Sequence, residues 1–316
     1  MVSEESSLVE RFEAAMAALC GLRQTPRLCI AVSGGPDSMA LLHLATLAFP
    51  GRVAAATVDH GLRAASADEA AMVADWCARH AIPHATLHPD TQPQGNIQAW
   101  ARTARYALLE DWRAAQGLDL ILTAHHADDQ LETMLMRLNR GAGLSGLAGV
   151  RTRTSRIARP LLSMSKAELL AYVQAQGLPY ADDPSNLDPR FDRAALRAQL
   201  ANAPWLDAQA AARSAVALAE ADVALRWLVD DLAARHVRAD GAGHVLDATD
   251  FPREVQRRLL LRLIACTDPD APLPRGEAVD RLLAYAMAGE KASIGALILQ
   301  GGKQWRIYPA PPRKSA

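Results

Sequence analysis

The sequence predicts an α/β fold: a doubly wound parallel sheet followed by a second, mostly helical C-terminal domain with a small β element. Three observations predict it. Short apolar runs of strand length alternate with longer stretches of helical periodicity through the N-terminal part, the signature of βαβ units. The first, second and fourth such runs lead into glycines, histidines or acidic residues, as expected where open parallel sheets collect ligands at the carboxyl ends of their strands. The chain's 316 residues exceed one typical domain, and half are hydrophobic, enough for two cores. The expected division is residues 1–204 and 205–316.

In chain order, Leu8, Phe12, Met16, Leu19 and Leu22 share one helical face, predicting a helix packed on the sheet. Leu28-Cys29-Ile30-Ala31-Val32 reads as a buried strand that stops at Ser33-Gly34-Gly35-Pro36-Asp37-Ser38, with a helical pattern directly behind it. Two glycines permit backbone shapes closed to other residues and let a ligand come close. The helix N-terminus favours an anion, and two serine hydroxyls add donors. The loop reads as a phosphate cradle, although no lysine follows it as in a Walker A loop.

A second strand is predicted over 53–58, ending in Asp59-His60-Gly61-Leu62-Arg63, then a helix over 66–80 and a third strand over 83–87. The next helix, opened by Gly95, carries Ile97, Ala101, Ala104, Leu108 and Trp112 on its buried stripe, with Arg102, Arg105 and Tyr106 to one side. A fourth strand over 118–123 runs into His125-His126-Ala127-Asp128-Asp129-Gln130-Leu131-Glu132. Asp128 and Glu132 are four residues apart on one helix face. No zinc-type spacing is present, so hard oxygen ligation of Mg²⁺ or capture of an ammonium group fits this cluster better, with helix capping as the plain alternative.

From Arg137 to Lys166 there is no carboxylate, while Arg140 opens a glycine-rich stretch over 139–149 that reads as a flexible basic loop. Ser163 or Ser165, with Glu168, marks the start of another helix. A turn-rich segment over 180–189 precedes Arg190, Arg193 and Arg197, a ladder suited to phosphates. Beyond residue 204 follow a long alanine-rich helix to about residue 236, shorter helices near 253–265 and 275–288, and a hairpin around Gly301-Gly302.

Net charge is −1, so polyanion binding must be local. The four cysteines form no C-x-x-C pair, which argues against a zinc ribbon, an iron–sulfur site or a disulfide framework. The acidic, polar start and the lack of a long apolar run predict a cytoplasmic protein without membrane contact.

Taken in order, SGGPDS, VDHGLR, ARTARY, TAHHADDQLET, RPLL and DDPSN with its spaced arginines resemble the tRNA(Ile)-lysidine synthetases of the N-type ATP pyrophosphatase, or PP-loop, superfamily. The resemblance implies ATP and Mg²⁺ as cofactors, and L-lysine and an isoleucine tRNA with a CAU anticodon as partners. It implies that Ser33, Gly34, Gly35, Pro36, Asp37 and Ser38 hold pyrophosphate, that Asp37 places the metal, and that Val58, Asp59 and His60 border the adenosine. Arg102 and Arg105 would steady the adenylate and His125 relay a proton or contact phosphate. Asp128, Asp129 or Glu132 would orient or deprotonate lysine. Arg63, Arg140, Arg190, Arg193 and Arg197 would meet the RNA, although Ala194 stands where the family carries asparagine. The C-terminal region is left to position RNA or to pair two copies as a homodimer. A PP-loop tRNA thiolase, which wants sulfur-carrying cysteines, and a non-catalytic nucleotide- or RNA-binding module are the alternatives.

Overall fold

The computed structural model describes residues 2–21, 25–62, 65–93, 95–181 and 192–311, and of 2–7, 65, 192 and 194 the backbone only. Arg63, Arg190 and the DDPSN segment lie outside the described residues. The chain divides into two compact units, Met1–Leu218 and Ala219–Ala316.

The first unit alternates helix and strand: α1 (Val2–Cys20), β1 (Leu28–Ala31), α2 (Pro36–Ala48), β2 (Val53–Val58), α3 (Ala65–Arg79), β3 (His84–Leu87), α4 (Ile97–Ala115), β4 (Leu120–Leu122), α5 (Ala127–Leu138), α6 (Leu144–Leu147), β5 (Arg153–Thr154), β6 (Ile157–Ala158), α7 (Lys166–Ala175) and α8 (Asp192–Leu200). Its sheet has the order β3-β2-β1-β4-β6-β5. All pairings are parallel except β5 with β6. The two-residue strands β5 and β6 are too short to show a period, and they extend the expected four-stranded core by a small hairpin. Side chains alternate across the sheet. Leu28 and Ile30 enter one layer with Phe12, Met16, Leu41 and Leu42, whereas Cys29 enters the other with Leu109, Ile121, Ala54 and Ala56. Helix α2 is buried on nearly every side, which explains its near-continuous apolar sequence.

The second unit contains most of α9 (Ala208–His236), then β7 (Val237–Asp240), β8 (Gly243–Leu246), α10 (Arg253–Thr267), α11 (Glu277–Ala288), β9 (Lys291–Ile294), β10 (Leu297–Gln300) and β11 (Trp305–Pro309). The expected hairpin is β10 with β11, paired antiparallel. It belongs to a larger sheet than the sequence suggested, with the order β7-β8-β11-β10-β9. Leu259, Leu263 and Leu283 from the helices pack on Leu299, Trp305 and Ile307 of the strands.

Candidate active site

Strand β1 lies between β2 and β4, and the chain crosses to opposite sides of it, so a topological switch point falls between β1 and β4. That is where open α/β sheets bind ligands. The segments leaving these two strands are SGGPDS and the double-histidine cluster.

The first segment is a preformed cradle. Gly34 has φ +86°, the left-handed region, and a Cβ there would sit 3.4 Å from Glu69 Cβ; at Gly35 a Cβ would meet Ser33 Oγ at 3.7 Å. Gly35 caps α2 and Pro36 opens it with its fixed φ. Ser38 Oγ donates to Gly35 C=O at 2.9 Å and accepts from Ser33 N–H at 3.1 Å, holding the loop across its mouth. Ala181 N–H donates to Gly34 C=O, so the chain after α7 braces the loop from outside.

Asp37 follows in the first turn of α2. Its Oδ2 lies 3.5 Å from His126 Nε2, and its Oδ1 is buried without a hydrogen-bond partner among the described residues. A buried carboxylate oxygen left unsatisfied is costly until a ligand completes it. Mg²⁺ fits: it takes one or two protein carboxylates and fills its remaining positions with phosphate and water. Among the described residues no group of three or more His, Cys, Asp or Glu is placed to hold a metal alone.

His126, which motif reading passed over in favour of His125, joins the two halves of the site. It is 4% exposed, with Asp37, Asp128 and Asp129 carboxylates at 3.5, 3.4 and 3.7 Å. Burial opposes its charge, but the flanking carboxylates of Asp128 and Asp37 outweigh that and hold it up at about 10. His125 goes the other way. Burial, reinforced by Arg159, Arg102 and Arg193 against the opposing Asp129, pushes it down to about 4. At neutral pH His126 is a cation and His125 a neutral base whose Nδ1 pairs with Thr123 Oγ1 at 2.9 Å.

The carboxylates of α5 separate in role. Asp128 Oδ2 accepts from Lys166 N–H at 2.7 Å, capping α7; burial raises its pKa, but the bonds from His126 and Lys166 leave it below the usual carboxylate range. Asp129 Oδ2 accepts the His126 N–H at 3.1 Å and so closes its own helix start. Glu132, 2% exposed, is free of capping duty. Arg197 of α8 grips it through Nε to Oε1 and through Nη2 to Oε2 at 3.1 Å, while Nη2 also reaches Asp129 Oδ1 at 3.5 Å. Arg193, one turn earlier, donates to Thr133 Oγ1 at 3.1 Å. The arginine ladder therefore faces α5.

On the other side, Asp59 accepts from Gly61 N–H and Ser66 Oγ, bonds that lower its pKa and shape the turn after β2. His60 meets the Trp100 ring edge-on at 5.7 Å; burial and then Arg105 lower its pKa. Arg105 is exposed on α4. Arg102 lies 5.1 Å over the Tyr106 ring.

The glycine-rich stretch is more constrained than its composition suggested. Gln130 grips both backbone groups of Val150, at 2.8 and 2.6 Å, and Arg137 Nη1 donates to Gly146 C=O and Gly149 C=O. Arg140 is exposed on it. Arg159 of RPLL was also passed over. It is 7% exposed, donates only through Nη1, to Arg151 C=O and Thr154 Oγ1, and leaves its Nε without a partner among the described residues. Its charge acts on His125. The only sequence signal for it is an arginine at the carboxyl end of a strand too short to recognise.

Cys29 and Cys77 are buried and pushed up to about 12, chiefly by that burial. Neither is a thiolate poised for sulfur transfer. No described helix is long and apolar enough to cross a membrane.

The PP-loop domain family matches residues 6–204. A tRNA(Ile)-lysidine synthase of Zymomonas mobilis is 40% identical over 312 residues, covering 95% of this chain and 94% of that protein. One of Novosphingobium aromaticivorans is 42% identical over 320 residues, covering 98% and 96%. Among solved structures, the U34-tRNA thiolase NcsA from Methanococcus maripaludis with its 4Fe-4S cluster superposes with a TM-score of 0.54 at 16% identity, over 68% of this chain and 80% of that one, a likeness of fold.

Proposed function

We propose that this chain, which belongs to the PP-loop family and within it to the tRNA(Ile)-lysidine synthases, joins L-lysine to the wobble cytidine of an isoleucine tRNA with a CAU anticodon. The C2 oxygen of cytosine is a poor leaving group. It attacks the α-phosphate of ATP, pyrophosphate departs, and the resulting adenylate is displaced by the lysine ε-amine with release of AMP. The reaction belongs to the cytoplasm, where charged ATP and tRNA meet. Residues 1–204 would carry the chemistry and 205–316 would position the tRNA.

The observation that carries this reading is the closure of SGGPDS against α5 through His126. The cradle's N–H groups and serines take pyrophosphate, and charge stabilisation of that leaving group is where such a site contributes most. Asp37 Oδ1 would hold Mg²⁺, which supplies further neutralisation there. The charged His126 fixes the Asp37 carboxylate and faces the same anion. Arg105 and Arg102 lie on α4, on the nucleotide side, and Val58 to His60 border the adenosine. Arg159 adds positive charge beside His125.

Asp128 is committed to Lys166 and His126, so the lysine site is assigned to Glu132, Asp129 and Arg197. The two carboxylates accept the ammonium, and Arg197, relieved of part of its present pairing, meets the lysine carboxylate. Glu132 or Asp129 would take the proton released when the amine attacks, with His125 beside them as a relay.

Two substitutions separate the steps. Asp37→Ala, measured by tRNA-dependent pyrophosphate release, should lose roughly 10²-fold or more in turnover. Glu132→Gln should raise the KM for lysine at least tenfold while adenylation of the tRNA persists. Normal pyrophosphate release by Asp37→Ala would refute the loop assignment.

A further inference from the structure

At the opposite end of the first unit's sheet is a cavity of about 390 Å³ whose walls include Arg27, Arg52, His80, Pro50, Pro83 and Leu118. These residues sit at the amino ends of β1 to β4, whereas the catalytic segments leave the carboxyl ends. The two places are separated by at least a strand length, roughly 13 Å for four residues.

Its lining has one sign of charge. Arg27 and Arg52 are both exposed, and no aspartate or glutamate lines the cavity. Each arginine spends one nitrogen on a backbone carbonyl: Arg52 Nη1 on Thr25 at 2.9 Å and Arg27 Nη1 on Gly117 at 3.4 Å. Neither guanidinium has a carboxylate partner among the described residues; Asp119, next to the lining residue Leu118, accepts the Arg27 backbone N–H at 2.8 Å. Those bonds fix where the guanidinium groups stand without neutralising them, and the remaining N–H fork matches phosphate. His80 stacks on Trp76 at 4.0 Å with Nδ1 on Trp76 C=O, leaving Nε2 as its other polar atom. The rest of the wall includes the apolar Val53, Ala54, Ile82 and two prolines, a surface a base could pack on, together with Thr46. Ala81, with φ +52°, turns the chain at its rim. Cationic forks beside an apolar wall, in a volume typical of small-ligand sites, suit a phosphorylated nucleoside.

We infer that this cavity is a second nucleotide-binding site, remote from the catalytic crevice, which takes either one nucleotide of the RNA substrate or a free mononucleotide. On a chain of net charge −1, such a local site supplies phosphate contacts that overall charge cannot.

The test uses the full chain with Arg27→Gln/Arg52→Gln, and separately Ala81→Asp, which adds a carboxylate at an exposed left-handed position that aspartate tolerates and leaves both arginine contacts intact. Affinity for tRNA is measured against salt, AMP binding by calorimetry, and the KM for ATP in pyrophosphate release. If the occupant is an RNA nucleotide, both variants bind tRNA about tenfold more weakly, the double variant with a salt slope lowered by one to two, and the KM for ATP is unchanged. If it is a free mononucleotide, one AMP equivalent beyond the catalytic site disappears and tRNA affinity holds. Unchanged tRNA affinity and unchanged AMP stoichiometry in Ala81→Asp would overturn the inference, whatever the double variant's stability.

Discussion

At the scale of single residues, the site is built from neighbours with opposed electrostatics. His125 and His126 adjoin in sequence, yet one is held neutral and the other charged, because Asp37 and Asp128 flank only the second. The sign of the pH effect of His125 is definite. Its folded pKa of about 4 lies below the ordinary value of about 6.5, so between those limits the unfolded chain holds more protons. Stability therefore falls as pH drops through that window and is insensitive to this group above it. Thermal melts from pH 7 to 4 should show a steeper loss for the native chain than for His125→Asn. Asp128, depressed rather than raised, contributes stability that is full above about pH 4 and lost only below it.

Gly34 offers a second residue-scale test. A Cβ at φ +86° is strained and approaches Glu69 Cβ at 3.4 Å, so Gly34→Ala should cost about 1–3 kcal/mol and raise the KM for ATP. Melting and steady-state kinetics would check both. The motif letters made Gly34, Asp37 and Glu132 legible from sequence. His126 and Arg159 were not, because their importance lies in partners from other elements: Asp37 lies far upstream of His126, and the Arg159 environment depends on a hairpin of two-residue strands.

At the scale of elements, long strongly patterned segments were legible and short polar ones were not. Strand β2 occupies the residues its apolar run predicted, and Ser165, not Ser163, caps α7, with Glu168 closing the box. Ser165→Ala should cost about 1 kcal/mol, read as a fall in Tm. Strand β7 carries Arg238 and Asp240, β9 carries Lys291, and both bury little, while β8 is only four residues long and opens on a glycine. Their strand character comes from neighbours such as β11, paired with β8 from 60 residues downstream, which no local window contains. The anchoring of the glycine-rich stretch is hidden from sequence for a related reason. Its constraint comes from Gln130 and Arg137 on α5. Gln130→Leu should leave the Val150 backbone groups unpaired, costing about 1–3 kcal/mol, and should weaken tRNA binding while leaving the KM for ATP unchanged, as filter binding and kinetics would report.

At the scale of the whole molecule, a chain of net charge −1 acts on a polyanion, so under the proposed reading recognition rests on local basic groups, among them the exposed Arg193 and Arg140. Their number bounds the salt dependence of tRNA binding to a few phosphate contacts, a slope measurable by titration. The family assignment covers nearly the full length, and the site places a phosphate cradle, an orphaned carboxylate oxygen and a carboxylate–arginine cluster around one switch point. The most direct test of the central claim is tRNA-dependent pyrophosphate release with labelled lysine, comparing the isoleucine tRNA bearing a CAU anticodon with elongator methionine tRNA. The account predicts pyrophosphate release and label in the isoleucine tRNA alone. Pyrophosphate release without lysine incorporation, or equal labelling of both tRNAs, would contradict it.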